Sequence, residues 1–507
     1  MVLENLKPHI VWDIFENVIS NTPRPSKHEQ KIRKKIRDWL TQQNEEKKLK
    51  LSISEDVVGN LLIKKASSPG LHNVAPLLLQ GHLDMVCETN RPDGYDFHKN
   101  GIPLRIQDNK EWVDADGTTL GADNGIGVSL ALALLVDTQK NKTHGPLEVL
   151  FTVNEEDGFT GATNLDVRTL GIKSKYMINL DSGPLGVITI GSVCGGRIFF
   201  NKDFKWKEGE KQQDLLFLII SVNGLLSGHS GDDIHLPRAN ANELISRILS
   251  YVSKEAEFFL CEWNGGTKAN VITSKAKVKI AFKKTAKKKI EQLINNEIAK
   301  ISNYYNSNDI NIEKFEPNLK ITCKYGEPSK FLSLEDTQLV ITTSSLIPQG
   351  VLRYSPTHEG NVESSNNFAI LNTNEDGIRI EIYPRSLIRH ELESFRRKMV
   401  QLGNLGGWKM TLRPVLPEWD PKPESRFLKF IKNQYESILQ RSVTTAIVHG
   451  GLETGEISNK IPGIEMVALG PTVENAHTPN ERLMIADISP MYEVLLKVIR
   501  NFPSFDT

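Results

Sequence analysis

Residues 75–84 read APLLLQGHLD, a short apolar run that passes directly into a glycine, a histidine and an aspartate. Such a run is typical of a buried strand, because polar residues begin only where the run ends. Similar runs occupy 147–153 and 176–180, and the apolar segment 126–137 has the length of a helix. Apolar strands that alternate with helices predict an α/β fold with a mostly parallel sheet flanked by helices.

The composition argues against several classes of protein. The chain has 507 residues, and its 62 Lys and Arg balance 62 Asp and Glu, so the formal net charge is zero. This balance argues against a nucleic-acid partner and against a polybasic membrane-surface protein. Apolar residues make up 39% of the chain and charged residues 24%, which predicts a folded rather than a disordered protein.

The cysteines and the apolar runs bear on localisation. The four cysteines are widely spaced and form no C-x-x-C pair, so they predict reduced thiols. The longest apolar run, Leu215–Val222, is too short to span a bilayer, and the N-terminal residues lack the pattern of a secretory signal. We therefore expect a cytoplasmic protein that has no membrane partner.

Acidic residues and histidines recur at one kind of position, the end of a predicted strand or the loop that opens the predicted helix. In parallel α/β sheets, functional side chains gather beyond the carboxyl ends of the strands. His477 is assigned to this group because it follows the short predicted strand 466–469. The candidate site residues are His82, Asp84, Asp123, Glu155, Glu156, Asp181 and His477.

The spacing of these residues favours a metal site. His82 and Asp84 are two residues apart in an extended segment, so both can reach one region, and Asp84 can fix the tautomer of a metal-bound His82. Glu155 and Glu156 are adjacent carboxylates, which repel each other unless one binds a cation while the other remains a base. Two histidines with several carboxylates suit Zn²⁺, Mn²⁺ or Co²⁺ better than Ca²⁺.

Each fragment taken alone has an ordinary structural explanation. His82 and His477 could be packed loop histidines, the Glu155–Glu156 pair could be exposed surface, and Asp181 could cap a helix. Their joint occurrence at strand ends, flanked by glycines, favours the metal site.

Long motifs identify a family. The chain resembles the aminoacyl-histidine dipeptidases of the two-metal metallopeptidases, a family that also contains peptidase T, carnosinases and deacylases. The matching segments are GHLDMV (81–86), LGADNGIGVSLAL (120–132), FTVNEEDGFTGATNL (151–165), INLDS (178–182), SGHSGDDIH (227–235), HGGLETGEI (449–457) and GPTVENAHTPNE (470–481). They cover most of the chain in the order of the family.

The resemblance implies a role for each candidate. His82 and Asp181 would bind one metal, Glu156 and His477 would bind the other, and Asp123 would bridge the two. Asp84 would orient His82, and Glu155 would be the general base. The resemblance therefore implies two divalent metal ions, with Zn²⁺ favoured over Mn²⁺ and Co²⁺, and a metal-dependent dipeptidase that hydrolyses small peptides such as Xaa-His.

The resemblance also implies a division of the chain into 1–187 and 403–507, a catalytic domain, and 188–402, an inserted α+β lid through which a homodimer forms. Four candidates would bind substrate. His229 would stabilise the oxyanion, Asn270 would contact the substrate, Arg385 would bind its C-terminal carboxylate, and Glu453 would meet its α-amine. The sequence departs from the family pattern at Ala269, where arginine is expected, and at Thr454, where cysteine is expected.

Two other functions remain open. The same metal centre would serve an amidase or deacylase of N-acyl amino acids, and a non-catalytic binding protein could keep the fold. A nucleotide-binding interpretation of the glycines between 121 and 127 is poor, because no G-x-G-x-x-G follows a strand.

Overall fold

A computed structural model of the chain describes residues 2–140, 143–209, 212–306 and 315–506. A π-helical turn, Phe15–Ser20, continues the first helix, and a 3₁₀ turn, Lys284–Ala286, precedes the seventh. The α-helices of the described residues are α1 (His9–Ile14), α2 (Gln30–Lys47), α3 (Ala122–Val136), α4 (Thr160–Thr163), α5 (Val167–Leu170), α6 (Ala241–Ser253), α7 (Lys287–Tyr305), α8 (Leu334–Leu346), α9 (Arg389–Leu405), α10 (Arg426–Leu439), α11 (Glu453–Lys460) and α12 (Ile485–Asp506).

The strands of the same ranges form three sheets. They are β1 (Leu51–Glu55), β2 (Leu61–Lys65), β3 (Leu77–His82), β4 (Leu104–Ile106), β5 (Trp112–Ala115), β6 (Leu147–Thr152), β7 (Tyr176–Asn179), β8 (Val187–Ser192), β9 (Cys194–Gly195), β10 (Ile198–Asp203), β11 (Leu215–Asn223), β12 (Phe259–Gly265), β13 (Ala276–Lys283), β14 (Lys320–Tyr325), β15 (Gly350–Tyr354), β16 (Val362–Thr373), β17 (Gly377–Ser386), β18 (Lys409–Leu412), β19 (Thr444–Val448), β20 (Glu465–Ala468), β21 (Val473–Glu474) and β22 (Arg482–Met484).

The chain divides into two compact units. The first comprises Met1–Gly191, Trp419–Ile447 and Leu452–Thr507, and the second comprises Ser192–Glu418 with Val448–Gly451. The return to the first unit at Trp419 comes later than the position near 403 that the sequence suggests. The reason is that β18 follows α9 directly and pairs with β10, so this stretch remains in the sheet of the second unit.

The main sheet of the first unit has a parallel centre and antiparallel edges. Its order is β1-β2-β6-β3-β7-β20-β8-β19, and β6, β3, β7 and β20 run parallel. β1 and β2 pair antiparallel because only five residues join them, too few for a crossover. The predicted α/β class with a parallel sheet is confirmed, although the edge strands are antiparallel.

Helix α3 packs against β3 and lies in the core of the first unit. Every residue from Asn124 to Val136 is buried, so a helix without a polar face forms here as the apolar run 126–137 predicts. Asp123 and Asn124 at the start of α3 have non-helical backbone angles, so the regular helix begins after them.

A separate four-stranded sheet of the first unit carries His477. Its order is β21-β22-β5-β4, and Val473 pairs with Leu483 across the β21–β22 hairpin. His477 lies in the loop of this hairpin with a φ of 65°, so it does not directly follow β20 as its sequence position suggests.

The second unit is built on a ten-stranded antiparallel sheet. Its main order is β14-β11-β13-β12-β16-β17-β10-β18, with β15 beside β16 and β9 beside β17. The apolar core on this sheet includes residues of α6, α7, α8 and α9, and α6 packs against α7 and α8. Within the described ranges, none of the helices has both the length and the apolar character needed to cross a bilayer.

We expect Leu132→Ala to destabilise the first unit. Leu132 is fully buried in α3, and its truncation should lower the free energy of unfolding by about 2–5 kcal/mol. Leu405→Ala is the matched control, because Leu405 is 90% exposed and should change stability by less than about 0.5 kcal/mol. Denaturant unfolding measures both; equal losses in the two variants would contradict the packing described for α3.

Candidate functional site

The ends of two neighbouring parallel strands bring His82 and Asp181 together. β3 ends at His82, and β7 lies beside it with Gln80 opposite Asn179. Asp181 follows β7, and the Asn179 side chain accepts a hydrogen bond from the Asp181 backbone N–H at 3.0 Å. As a result, the His82 Nε2 lies 3.6 Å from an oxygen of Asp181.

Asp123 connects two groups of candidate ligands. One of its oxygens lies 2.9 Å from His82 Nε2, and the other lies 3.3 Å from His477 Nε2. His477 Nε2 is also 2.9 Å from an oxygen of Glu156. Potential ligand atoms lie within 4.8 Å of one another in three overlapping groups, which are His82–Asp123–Asp181, Asp123–Glu156–His477 and His82–Glu155–Glu156.

Asp84 lies next to His82 and also binds the backbone of the loop that follows β6. Its Oδ1 is 3.4 Å from His82 Nδ1 and accepts the backbone N–H of Glu155 at 2.9 Å. Its Oδ2 accepts hydrogen bonds from the Glu156 N–H at 3.2 Å and the Ser26 hydroxyl at 2.7 Å. Asp84 thus holds the backbone of both glutamates in place and lies next to the His82 ring, whose Nδ1 has no hydrogen-bond partner among the described residues.

The charges of the group perturb one another strongly. Burial, together with nearby carboxylates, raises the pKa of Glu155 well above its usual value and that of Glu156 to about 7. Burial alone would lower the pKa of His477, but hydrogen bonds to Asp123 and Glu156 raise it to about 11. Such crowding of buried negative charge is relieved by bound cations, and the imidazole and carboxylate donors suit divalent transition metals.

The second unit contains three of the predicted substrate-binding residues, and they meet at Ser230. The Ser230 N–H donates to the Asn270 carbonyl at 2.8 Å, and Arg385 Nη2 lies 3.4 Å from the Ser230 hydroxyl. His229 precedes Ser230, and its Nδ1 is 3.1 Å from Asp232. Arg385 is 4% exposed, and its Nε has no hydrogen-bond partner within the described part of the chain.

Comparison with known proteins shows the family of the chain. The model of peptidase family M20/M25/M40 matches residues 78–501, a range that contains every candidate side chain of the site. The chain belongs to peptidase family M20/M25/M40. It is therefore a peptidase, a hydrolase of peptide bonds.

Individual relatives cover the full length of this M20/M25/M40 peptidase. It is 32% identical to the cytosol non-specific dipeptidase of Escherichia coli (strain K12) over 503 residues, 99% of each chain. It is also similar to the crystal structure of aminoacylhistidine dipeptidase from Vibrio alginolyticus, with 30% identity, 98% of each chain covered and a TM-score of 0.80. Aminopeptidase PepT from Bacillus cereus ATCC 10987 shares the fold at 17% identity and a TM-score of 0.54, over 98% of this chain and 99% of that one.

Two buried residues hold the Asp123 loop of this M20/M25/M40 chain in place, and neither is among the residues predicted from the sequence. Glu481 accepts the backbone N–H groups of Leu120 and Gly121, each at 2.8 Å, and that of Asp123 at 3.2 Å. Arg24 donates to the carbonyls of Asp84 at 2.9 Å, Leu83 at 3.1 Å and Gly121. Glu481 ends the last family motif, which could have signalled it, whereas nothing in the sequence around Arg24 points to a role.

Glu453 lies among the strands that carry the candidate ligands. Its Oε2 accepts hydrogen bonds from Gln80 at 2.7 Å and from the Thr152 hydroxyl at 2.6 Å. Its Oε1 is buried and has no hydrogen-bond partner among the described residues. Burial raises the pKa of Glu453 to about 7, and the charges of Asp84 and Asp181 act in the same direction.

We expect Glu481→Gln to weaken metal binding about tenfold or more. The amide oxygen can still accept two of the backbone N–H groups, but the amide nitrogen then faces the third donor, and the Asp123 loop loses its anchor. Competition with a chelating dye measures the affinity. Glu474→Gln is the matched control, since Glu474 is half-exposed and pairs with Arg482; an equal effect in both variants would contradict the anchoring role.

Proposed function

We propose that the protein is a metal-dependent dipeptidase whose site holds two divalent cations, with Zn²⁺ favoured over Mn²⁺ and Co²⁺. The observation that carries the proposal is the position of Asp123, whose two oxygens face His82 and His477 separately. His82 and Asp181 would hold one cation, Glu156 and His477 the other, and Asp123 both. When bound, the cations would polarise the substrate carbonyl and lower the pKa of the attacking water.

Glu155 is the proposed general base. Its side chain lies in the group formed with His82 and Glu156 but belongs to neither set of proposed ligands around Asp123. In this role it takes a proton from the attacking water and gives it to the leaving amine. Asp84 is proposed to orient His82. The hydrogen bonds that Asp84 accepts from the backbone N–H groups of Glu155 and Glu156 hold the proposed base and the proposed metal ligand in fixed positions.

The substrate's two ends would be recognised by opposite charges. Arg385 has a buried Nε with no hydrogen-bond partner in the described ranges, and its planar guanidinium suits the C-terminal carboxylate. Glu453 offers to the free α-ammonium a buried oxygen that no described residue binds. His229 is proposed to donate a hydrogen bond to the developing oxyanion, and the exposed Asn270 to contact the substrate.

The unpartnered oxygen of Glu453 favours the dipeptidase over the deacylase. A dipeptide brings an ammonium group that balances a buried carboxylate, whereas an N-acyl amino acid brings a neutral amide and leaves the charge unpaired. A panel of unmodified dipeptides, Xaa-His included, against N-acetyl amino acids tests this point. Cleavage of the acylated compounds alone would contradict the dipeptidase assignment.

The proposal extends to assembly and compartment. A homodimer through the second unit is supported by the apolar side chains of Leu346, Leu352 and Tyr354, which are 57%, 37% and 53% exposed. Two of these residues lie on β15, which pairs only with β16 in the described ranges. A cytoplasmic location is supported by the four free cysteines.

We expect Glu155→Gln to abolish most hydrolysis while leaving the metal bound. Removal of a general base lowers kcat by about 10²–10⁴-fold. Asp157→Asn is the matched control, because Asp157 is an exposed carboxylate of the same loop that pairs with Lys27. Steady-state kinetics and metal analysis measure the two effects, and undiminished turnover in Glu155→Gln would exclude this residue as the base.

We expect Glu453→Gln to raise KM for dipeptides about tenfold or more. The amide oxygen can keep the bonds from Gln80 and Thr152, so the fold is retained, but the group that faces the ammonium becomes a neutral donor. Glu424→Gln serves as control, since Glu424 is an exposed carboxylate that pairs with Lys429. If KM is unchanged in Glu453→Gln, this carboxylate does not bind the amine.

A further inference from the structure

The second unit contains a cavity that plays no part in the proposed reaction. Its volume is about 730 Å³, within the range of about 300–1,000 Å³ that is usual for small-molecule sites. Its walls come from the segment before α6, from one side of α6, from α7, and from the end of α8 with the following stretch into β15. His229, Asn270 and Arg385 are not among its lining residues.

Charges of both signs line this cavity, and two of them have no ion-pair or hydrogen-bond partner among the described residues. Arg247 donates to Glu297 at 2.7 Å, so these two charges compensate each other. Arg238 and Glu243 also line the cavity, and neither side chain forms an ion pair or a hydrogen bond with any described residue. The remaining ionisable groups of the wall are Lys254, which is exposed, His235, and the phenols of Tyr251, Tyr305 and Tyr354.

The environment of Glu243 adds to the cost of leaving it unpaired. Burial raises the pKa of its carboxyl, and the charge of Arg247 opposes this shift. Two serines of the wall, Ser246 and Ser344, are buried and have hydroxyls without a hydrogen-bond partner among the described residues. The serine hydroxyls are enclosed by protein, so the groups of the wall that a ligand can pair with are the side chains of Arg238 and Glu243.

Part of the wall is apolar. Ile234, Ile272 and Ile347 are almost fully buried and contribute to the lining, as do Leu236 and Val351. A ligand that satisfies every part of the wall therefore carries a cation, an anion and an aliphatic group in one small molecule.

We propose that this cavity binds a free α-amino acid with an apolar side chain, its carboxylate on Arg238 and its ammonium on Glu243. Amino acids are also the products of the proposed function, but the cavity's own lining supports this site whether or not the chain is a dipeptidase.

The test is calorimetric titration of the full-length, metal-loaded protein with L-leucine, leucinamide and N-acetyl-leucine. Leucinamide lacks the carboxylate and N-acetyl-leucine lacks the ammonium, so each should bind the unmodified protein at least about tenfold more weakly than leucine. Arg238→Gln should lose about tenfold for leucine and should no longer distinguish leucine from leucinamide. Glu243→Gln should likewise lose its preference for leucine over N-acetyl-leucine.

The control variant is Lys288→Gln, an exposed lysine of α7 outside the cavity, which should bind leucine as the unmodified protein does. Thermal unfolding confirms that each variant is folded, and dipeptide turnover at low product concentration should be unchanged in both cavity variants. The proposal is overturned if leucine does not bind, or if Arg238→Gln and Glu243→Gln bind it with unchanged affinity, which would place all leucine binding at another site.

Discussion

Five carboxylates and two imidazoles converge near the carboxyl ends of the central strands, where Asp123 comes from the start of α3 and the half-exposed His477 from a separate sheet. The structure of the first unit is organised around that concentration of charge. Asp84, Asp123, Glu155, Glu156 and Asp181 would repel one another strongly if all were ionised and unpaired. Hydrogen bonds from His82 and His477 offset part of this repulsion. Two divalent cations would offset the rest. The fold and the proposed chemistry therefore both require positive charge among these carboxylates.

Backbone groups fix the geometry of this charged site. The loops that follow the parallel strands β3, β6 and β7 lie close together. The ends of the strands alone do not fix the positions of the side chains. Asp84 binds the N–H groups of the Glu155–Glu156 loop, and Glu481 binds those of the Asp123 loop. Arg24 donates hydrogen bonds to the carbonyl of Asp84 and to that of Gly121, so it links the same two regions. Buried charges paired with backbone dipoles in this way give a rigid site before any ligand arrives.

The sequence predicts the central strands, the buried helix and the convergence of His82, Glu155, Glu156 and Asp181, because apolar runs that end in polar residues are local signals. His477 is different. Its place depends on the β21–β22 hairpin and on the pairing of β22 with β5, a strand more than 350 residues away in the chain, so family motifs predict it better than its own neighbours do.

Arg24 and Glu481 are not predicted for a related reason. Each acts through backbone groups that are distant in the sequence, and such hydrogen bonds leave no pattern of residue types; only the family motif that ends at Glu481 points to one of the two. The later return of the chain at Trp419 likewise depends on the pairing of β18 with β10, a tertiary contact, and the antiparallel edges of the main sheet depend on short connections. The two cavity residues Arg238 and Glu243 are recognised only once the structure shows that their side chains have no ion-pair or hydrogen-bond partner among the described residues.

In the proposed mechanism, hydrolysis depends on two cations held around Asp123. A titration checks this dependence: a chelator strips the protein of metal, and Zn²⁺ is then added stepwise while metal content and dipeptide hydrolysis are measured on the same samples. We expect no activity without metal and full recovery as bound metal approaches two ions per chain. Hydrolysis that persists after complete metal removal, or that recovers fully with only one ion bound per chain, would rule out this dependence.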